Sequence, residues 1–275
     1  MQRIKYLAVF VVLLMAGCRD KDLDMTVLNK SLFDGADFTE IVLNDSWNVT
    51  IVQDDEKTGI DLEYSAFLED YLDVKQEKKN LSIAFTHRLN LPYNTVMNAV
   101  IHVKTLEKLI LKDAVTVKLQ GDFTGELLDI QFEDASICRE GSYKGNATVK
   151  LKDASHLVDF NLDGDYFEMQ IKGASSFKGN LIADSVNVAM EDASRLVTFN
   201  GQVQRVRLSL EDASILNMVN SPVDEAFVEL HDSSEATLYV NHLLQGILRD
   251  ASKVYYQGHP SINLDCDDAS SYQPL

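Results

Sequence analysis

Met190-Glu191-Asp192-Ala193-Ser194-Arg195-Leu196 and, twenty residues later, Leu210-Glu211-Asp212-Ala213-Ser214-Ile215-Leu216 are two copies of one unit, and that unit decides the fold. Asp-Ala-Ser or a close variant begins at Asp113, Asp134, Asp153, Gly173, Asp192, Asp212, Asp232, Asp250 and Asp268, in steps of 21, 19, 20, 19, 20, 20, 18 and 18 residues. Two residues before each start stands an apolar side chain: Leu111, Phe132, Leu151, Ile171, Met190, Leu210, Leu230, Leu248 and Cys266. The residue between is polar in every copy, as in Lys112, Glu133 and His231, and four residues after each start an apolar side chain returns at Val117, Cys138, Leu157 and their equivalents. Alternation with period two on either side of a small tripeptide predicts strand, tight corner, strand.

One such unit cannot bury its apolar side, whereas stacked units can. No window shows the 3.6-residue periodicity of a helical solenoid, and the Leu-x-x-Leu-x-Leu pattern of leucine-rich repeats is absent. The 13 glycines are too few for collagen or for glycine-rich calcium-binding nonapeptides. The expectation is an all-β, single-stranded parallel β-helix with one coil per repeat. Nine coils rising about 4.8 Å each make a rod of roughly 40 Å.

Residues 38–110 lack the tripeptide but keep strand character at Phe38–Leu43, Trp47–Gln53, Gly59–Tyr64, Leu81–Phe85 and Ala99–Val103, with a short helical turn at 65–72. They read as a less regular N-terminal section that caps the first coil and is continuous with the regular repeats of 111–275. After Asp268-Ala269-Ser270-Ser271 only four residues follow, so the last coil is expected to be an edge open to a second copy or another chain.

The first residues supply an address. Met1–Lys5 is basic, Tyr6–Met15 is apolar, and Met15-Ala16-Gly17-Cys18 follows. Ten apolar residues span about 15 Å as a helix, half of a bilayer core. The stretch therefore reads as a cleaved secretion signal over 1–17 rather than a membrane span. Its end resembles the bacterial lipobox, with Cys18 as the acylated residue and 18–37 as a tether; several acyl chains give stable attachment. The acidic run after Cys18 resembles the surface-export signal of some Gram-negative lipoproteins. Removal of 1–17 leaves 23 basic against 43 acidic side chains, a net −20, and a surface of that sign disfavours nucleic acid as a partner.

Stacking places Asp113, Asp134, Asp153, Asp192, Asp212, Asp232, Asp250 and Asp268 in one column, broken at Gly173. Neighbours about 4.8 Å apart repel by roughly 1 kcal/mol even in water. Each carboxylate is expected to accept hydrogen bonds from backbone amides of its own corner and from the Ser two residues on. Calcium held by paired carboxylates is one alternative. Catalysis by a carboxyl pair, as in retaining glycosidases, is another, but an active site breaks a repeat at one place instead of recurring on every coil. None of His87, His102, His156, His231, His242 and His259 falls at metal-ligand spacing, and neither Gly-x-Ser-x-Gly nor a phosphate-binding loop occurs. Cys138 and Cys266, inward and seven coils apart, are expected to stay unpaired. No catalytic residue, metal site or cofactor is expected.

The lipobox, the Trp47–Gln53 and Leu81-Ser82-Ile83 strands, and the Leu106–Leu111 strand running into Asp-Ala-Ser corners together resemble the head-GIN-domain family of auto-transporter adhesins over about residues 38 to 270. The resemblance implies a right-handed β-helix on a secreted or lipid-anchored bacterial protein and supplies no catalytic residues. The family commonly has Gly at the first corner position, where this chain has Asp. The expected function is a lipid-anchored outer-membrane module, exposed at the cell surface, that binds a glycan, a matrix component or another envelope protein along its flank. A polysaccharide-active lyase or glycosidase is the alternative, and a scaffold that self-associates through the C-terminal coil is a third reading.

Overall fold

The structure, a computed structural model, describes residues 23–275. Strands β1 (Val27–Leu32), β2 (Glu40–Leu43), β3 (Asn48–Gln53) and β4 (Gly59–Ser65) lead into a 3₁₀ turn at Ala66–Tyr71. Then come β5 (Leu72–Glu77), β6 (Asn80–Phe85), β7 (Met97–Val103), β8 (Lys108–Leu111), β9 (Thr116–Gln120) and β10 (Phe123–Phe132). Six long strands follow: β11 (Ile137–Leu151), β12 (His156–Ile171), β13 (Ser176–Met190), β14 (Arg195–Leu210), β15 (Ile215–Leu230) and β16 (Glu235–Leu248). The chain ends with β17 (Lys253–Gln257), β18 (Ser261–Cys266) and β19 (Ser271–Pro274). All belong to one sheet wound as a parallel β-solenoid.

Each long strand starts just after one Asp-Ala-Ser corner and ends at the next. It then pairs in parallel with its equivalent one coil on, for example Leu157 with Phe177 and Met169 with Val188. The alternation read from sequence is the burial pattern: Phe177, Leu196, Leu216, Leu210 and Leu230 are fully buried, and their outward neighbours are not.

Eight corners, from Asp113-Ala114 to Asp250-Ala251, share one conformation. Asp and Ala both carry positive φ, as at Asp212 (53°) and Ala213 (58°), the requirement of a type I′ turn. The turn is closed by the Ser amide, which donates to the carbonyl three residues back, as Ser214 does to Glu211 at 3.2 Å. The free amide of the second corner residue then donates to the carbonyl of the first residue one coil further on. Ala193 reaches Asp212 at 2.8 Å, Ala213 reaches Asp232 at 2.9 Å, and Ala154 reaches Gly173 at 2.7 Å.

The N-terminal section stacks out of sequence order. β2 lies between β6 and β8, and β3 between β7 and β9, so the β2–β3 coil is sandwiched between two later ones. Its corner, Asn44-Asp45-Ser46-Trp47, has Asp45 at φ 68° and Ser46 at 57°, and stands in the same column as Asp113. The outer edges of β6 and β7 carry antiparallel partners, β5 and β4, and β4 carries β1. The tether expected over 18–37 therefore includes a strand. Val27–Leu32 alternates too weakly to read as one alone, and it is held on β4 by backbone pairing and by Ser31 donating to Asp61. At the far end β18 pairs only with β16, and β19 only with β17.

Ala213→Gly is expected to stabilise the fold by about 0.5–1 kcal/mol in guanidinium unfolding, since it removes the left-handed cost at the corner less the extra chain entropy of glycine. Phe177→Ala, emptying a fully buried position, is expected to cost about 3–5 kcal/mol in the same measurement.

Candidate functional site

The aspartates stand in one column as the spacing predicts, but the corner works differently from the expected hydrogen bonding. Ser136, Ser155, Ser175, Ser194, Ser214, Ser234 and Ser252 point inward and are buried, while all eight aspartates are exposed. Left-handed φ at two successive residues turns Asp and Ala outward together, which carries the Ser to the inner side. Some of the buried hydroxyls bond within the corner, Ser155 donating to the Lys152 carbonyl and Ser234 to that of His231, each at 2.6 Å; others bond between coils, Ser252 donating to the Leu230 carbonyl at 3.0 Å and Ser194 facing Ser214 at 3.3 Å. The Asp backbone carbonyl is the acceptor of the coil-to-coil bond, and the carboxylate is left to solvent.

Water and the adjacent column offset the repulsion of the carboxylates. The residue before each corner supplies cations and further acids that pair across coils, Lys112 with Glu133 at 3.1 Å and Lys172 with Glu191 at 2.7 Å. His231 lies 3.8 Å from Asp250. Among the described residues no three acidic, His or Cys side chains gather at one point as a metal site would require. Cys138 is fully buried, and that burial pushes its thiol up to about 12; Cys266 is half-buried, and neither is paired among the described residues. Cys18 lies outside the described residues.

The half-buried Asp45 is the column's exception. Its carboxyl is raised above the usual range by desolvation, with the Asp113 charge adding to that, although it accepts a hydrogen bond from the Phe85 amide at 2.7 Å.

A second feature was not seen in the sequence. Two outward columns run along β12–β16 beside the corner. One reads Glu168, Asn187, Arg207, Phe227, Gln245; the other reads Gln170, Ala189, Ser209, Glu229, Ile247. The small side chains of Ala189 and Ser209 between Gln170 and Glu229 leave a cleft of about 530 Å³, with Val188, Leu208 and Val228 at its floor. Tyr166, 37% exposed, forms one end, and its hydroxyl accepts a hydrogen bond from the Asn187 amide at 3.0 Å. The Arg207 guanidinium lies over the Phe227 ring, 5.0 Å from its centroid. Reading all outward positions five and three residues before each corner would have shown the Ala189–Ser209 gap beside Arg207 and Phe227.

Residues 37–260 match the family described as "Putative auto-transporter adhesin, head GIN domain", and the chain belongs to it. Similar solved structures include a "putative adhesin" from Parabacteroides distasonis, with 14% identity, a TM-score of 0.66, and coverage of 92% of this chain and 98% of the other. A "putative lipid binding protein" from the same species shows 15% identity, a TM-score of 0.64 and the same coverages. A "putative adhesin" from Parabacteroides merdae shows 10% identity and a TM-score of 0.63, covering 90% and 96%. Identities this low carry the fold and nothing more. No curated protein matches the sequence.

Asp45→Asn keeps an acceptor for the Phe85 amide and removes the desolvated charge. A carboxyl raised in the fold contributes stability that is full below its unfolded pKa and is lost as pH rises through the folded value. The variant is therefore expected to be more stable than the parent at pH 7, with the difference gone near pH 3, in denaturant titrations at the two pH values.

Proposed function

We propose that the protein is a lipid-anchored module of the bacterial outer membrane, exposed at the surface, which binds a partner along the flank of its solenoid. The observation that carries this reading is the adhesin-family match across residues 37–260. Cys18 in its lipobox setting supplies the anchor, and no helix among the described residues is long and apolar enough to cross a membrane. A net charge of −18 turns the flank away from polyanions and toward neutral or cationic partners.

Geometry favours binding over hydrolysis. The carboxylates lining the cleft, Glu168 and Glu229, stand three coils apart, roughly 14 Å along the axis. That exceeds the ~5–9.5 Å at which carboxyl pairs hydrolyse a glycosidic bond. Repetition argues the same way, since the corner aspartates recur coil after coil with no local constellation around any one of them.

Cells producing the wild-type chain are expected to adhere several-fold more than cells producing Cys18→Ser to a panel of immobilised glycans and matrix proteins. Labelled palmitate should enter the wild-type protein alone. Equal adhesion by the two strains across the panel overturns the reading.

A further inference from the structure

We infer that the cleft across β12–β16 is a binding subsite for an uncharged saccharide chain. The inference rests on the surface-binding reading above and names the ligand class that one part of the flank would take.

Four features of the cleft carry it. Carboxamides from Gln170, Asn187 and Gln245 and the Arg207 guanidinium converge on one groove, offering planar donors and acceptors side by side. A ligand covered in hydroxyls, each both donor and acceptor, answers such a lining. The Tyr166 ring at one end gives the apolar face of a sugar ring a surface to lie on, and its hydroxyl is already fixed by Asn187. Arg207 and Phe227 hold each other, so the far wall is ordered before anything binds. The cleft also has the right shape. Ala189 and Ser209 lower its floor over two coils, and the columns continue over five, about 19 Å of axis, which suits a run of rings better than a single one.

Other ligand classes fit less well. Glu168 and Glu229 against Arg207 leave one net negative charge, which opposes uronate or sulfated chains. A peptide added as a strand needs a free edge, but β12–β16 are each paired on both sides. An acyl chain would strip water from the charged and amide groups of an open groove without replacing their hydrogen bonds.

The test uses the full-length protein in detergent, titrated calorimetrically with uncharged hexasaccharides from xylan, mannan and glucan, with hexagalacturonate, and with phosphatidylethanolamine vesicles. At least one uncharged hexasaccharide is expected to bind, and more tightly than hexagalacturonate. The double substitution Ala189→Gln with Ser209→Gln fills the groove with the side chain that Gln170 already carries in that column. It is expected to weaken binding about tenfold or more. Phe227→Ala should weaken it in the same direction, and Asp212→Asn on the corner column should leave it within about twofold. Thermal melting of each variant separates lost binding from lost folding. No binding of any uncharged hexasaccharide at millimolar concentration, preference for hexagalacturonate or vesicles, or unchanged binding by both cleft variants overturns the inference. If cells bearing the filled cleft adhere as well as wild type in a Cys18-dependent way, the saccharide subsite falls and the surface-binding reading stands. If purified protein binds the hexasaccharide through the cleft while adhesion ignores Cys18, the subsite stands and the surface-binding reading falls.

Discussion

The amide of the second corner residue, donating to the carbonyl of the first residue one coil further on, holds the solenoid in register. Seven consecutive corners, from Ala114 to Asp134 through Ser233 to Asp250, make this bond at 2.7–2.9 Å. It exists because two successive residues adopt left-handed φ, which costs each of them except Gly173 roughly 1–2 kcal/mol in isolation. Asp tolerates that region better than most residues, and Ala accepts it for want of anything larger. The strain recurs from the Asp113 corner to the Asp250 corner because the same turn exposes the amide for stacking and drives the next residue, Val115 or a Ser, inward. A coil without this corner would lose an inter-coil bond and a well-packed inner position together.

The ends of the column follow from the same constraint. At the start, the Asn44-Asp45-Ser46-Trp47 corner donates the Ser46 amide to the Asp113 carbonyl, and Trp47 fills the inner site that Ser takes elsewhere. At the Asp268 corner the Ala269 amide bonds a side chain instead of a carbonyl on another coil. Asp267 stands where other coils carry Lys, Glu, His or Arg, and its carboxylate accepts from the amides of Ala269 and Ser270, and of Asp250 one coil back. The adjacent Ser270 hydroxyl foremost, and then the amides of Asp250, Ser270 and Ala269, hold the Asp267 carboxyl below the usual carboxylate range. A side chain thus takes the place of the coil-to-coil carbonyl at this corner, and among the described residues β18 and β19 have no partner on their outer side.

The regular part of the fold was legible because its information is local and repeated. The corner and two inward positions on each side recur every coil, so one alignment of the chain on itself gives strand, turn and burial together. What escaped was either non-local or unrepeated. The sandwiching of β2 between β6 and β8 reverses chain order, which no periodicity records. β1 has the composition of an edge strand and owes its place to β4. The inward direction of Ser194 and its equivalents was hidden because a small polar residue beside Asp is ordinarily read as a solvent-facing turn. Here two left-handed residues rotate the chain before the Ser is reached.

That division between repeated and unrepeated positions bears on where function can reside. Inward positions are fixed by packing and corner positions by the left-handed turn and its inter-coil bond, so both are held to a narrow choice of residues. The exposed carboxylate column is a by-product of choosing Asp for a left-handed position, and its uniformity marks it as architecture. Outward strand positions are free of both demands, and some carry cross-coil ion pairs such as Lys108–Asp129 and Arg205–Glu225. Between Gln170 and Glu229 the pattern gives way to Ala189 and Ser209, with a cation held on an aromatic ring beside them. Stability does not ask for that interruption, since a longer polar side chain would cover more of the floor formed by Val188, Leu208 and Val228. A departure from the repeat that leaves apolar floor uncovered and orders the groups around it is what a binding site on a solenoid requires.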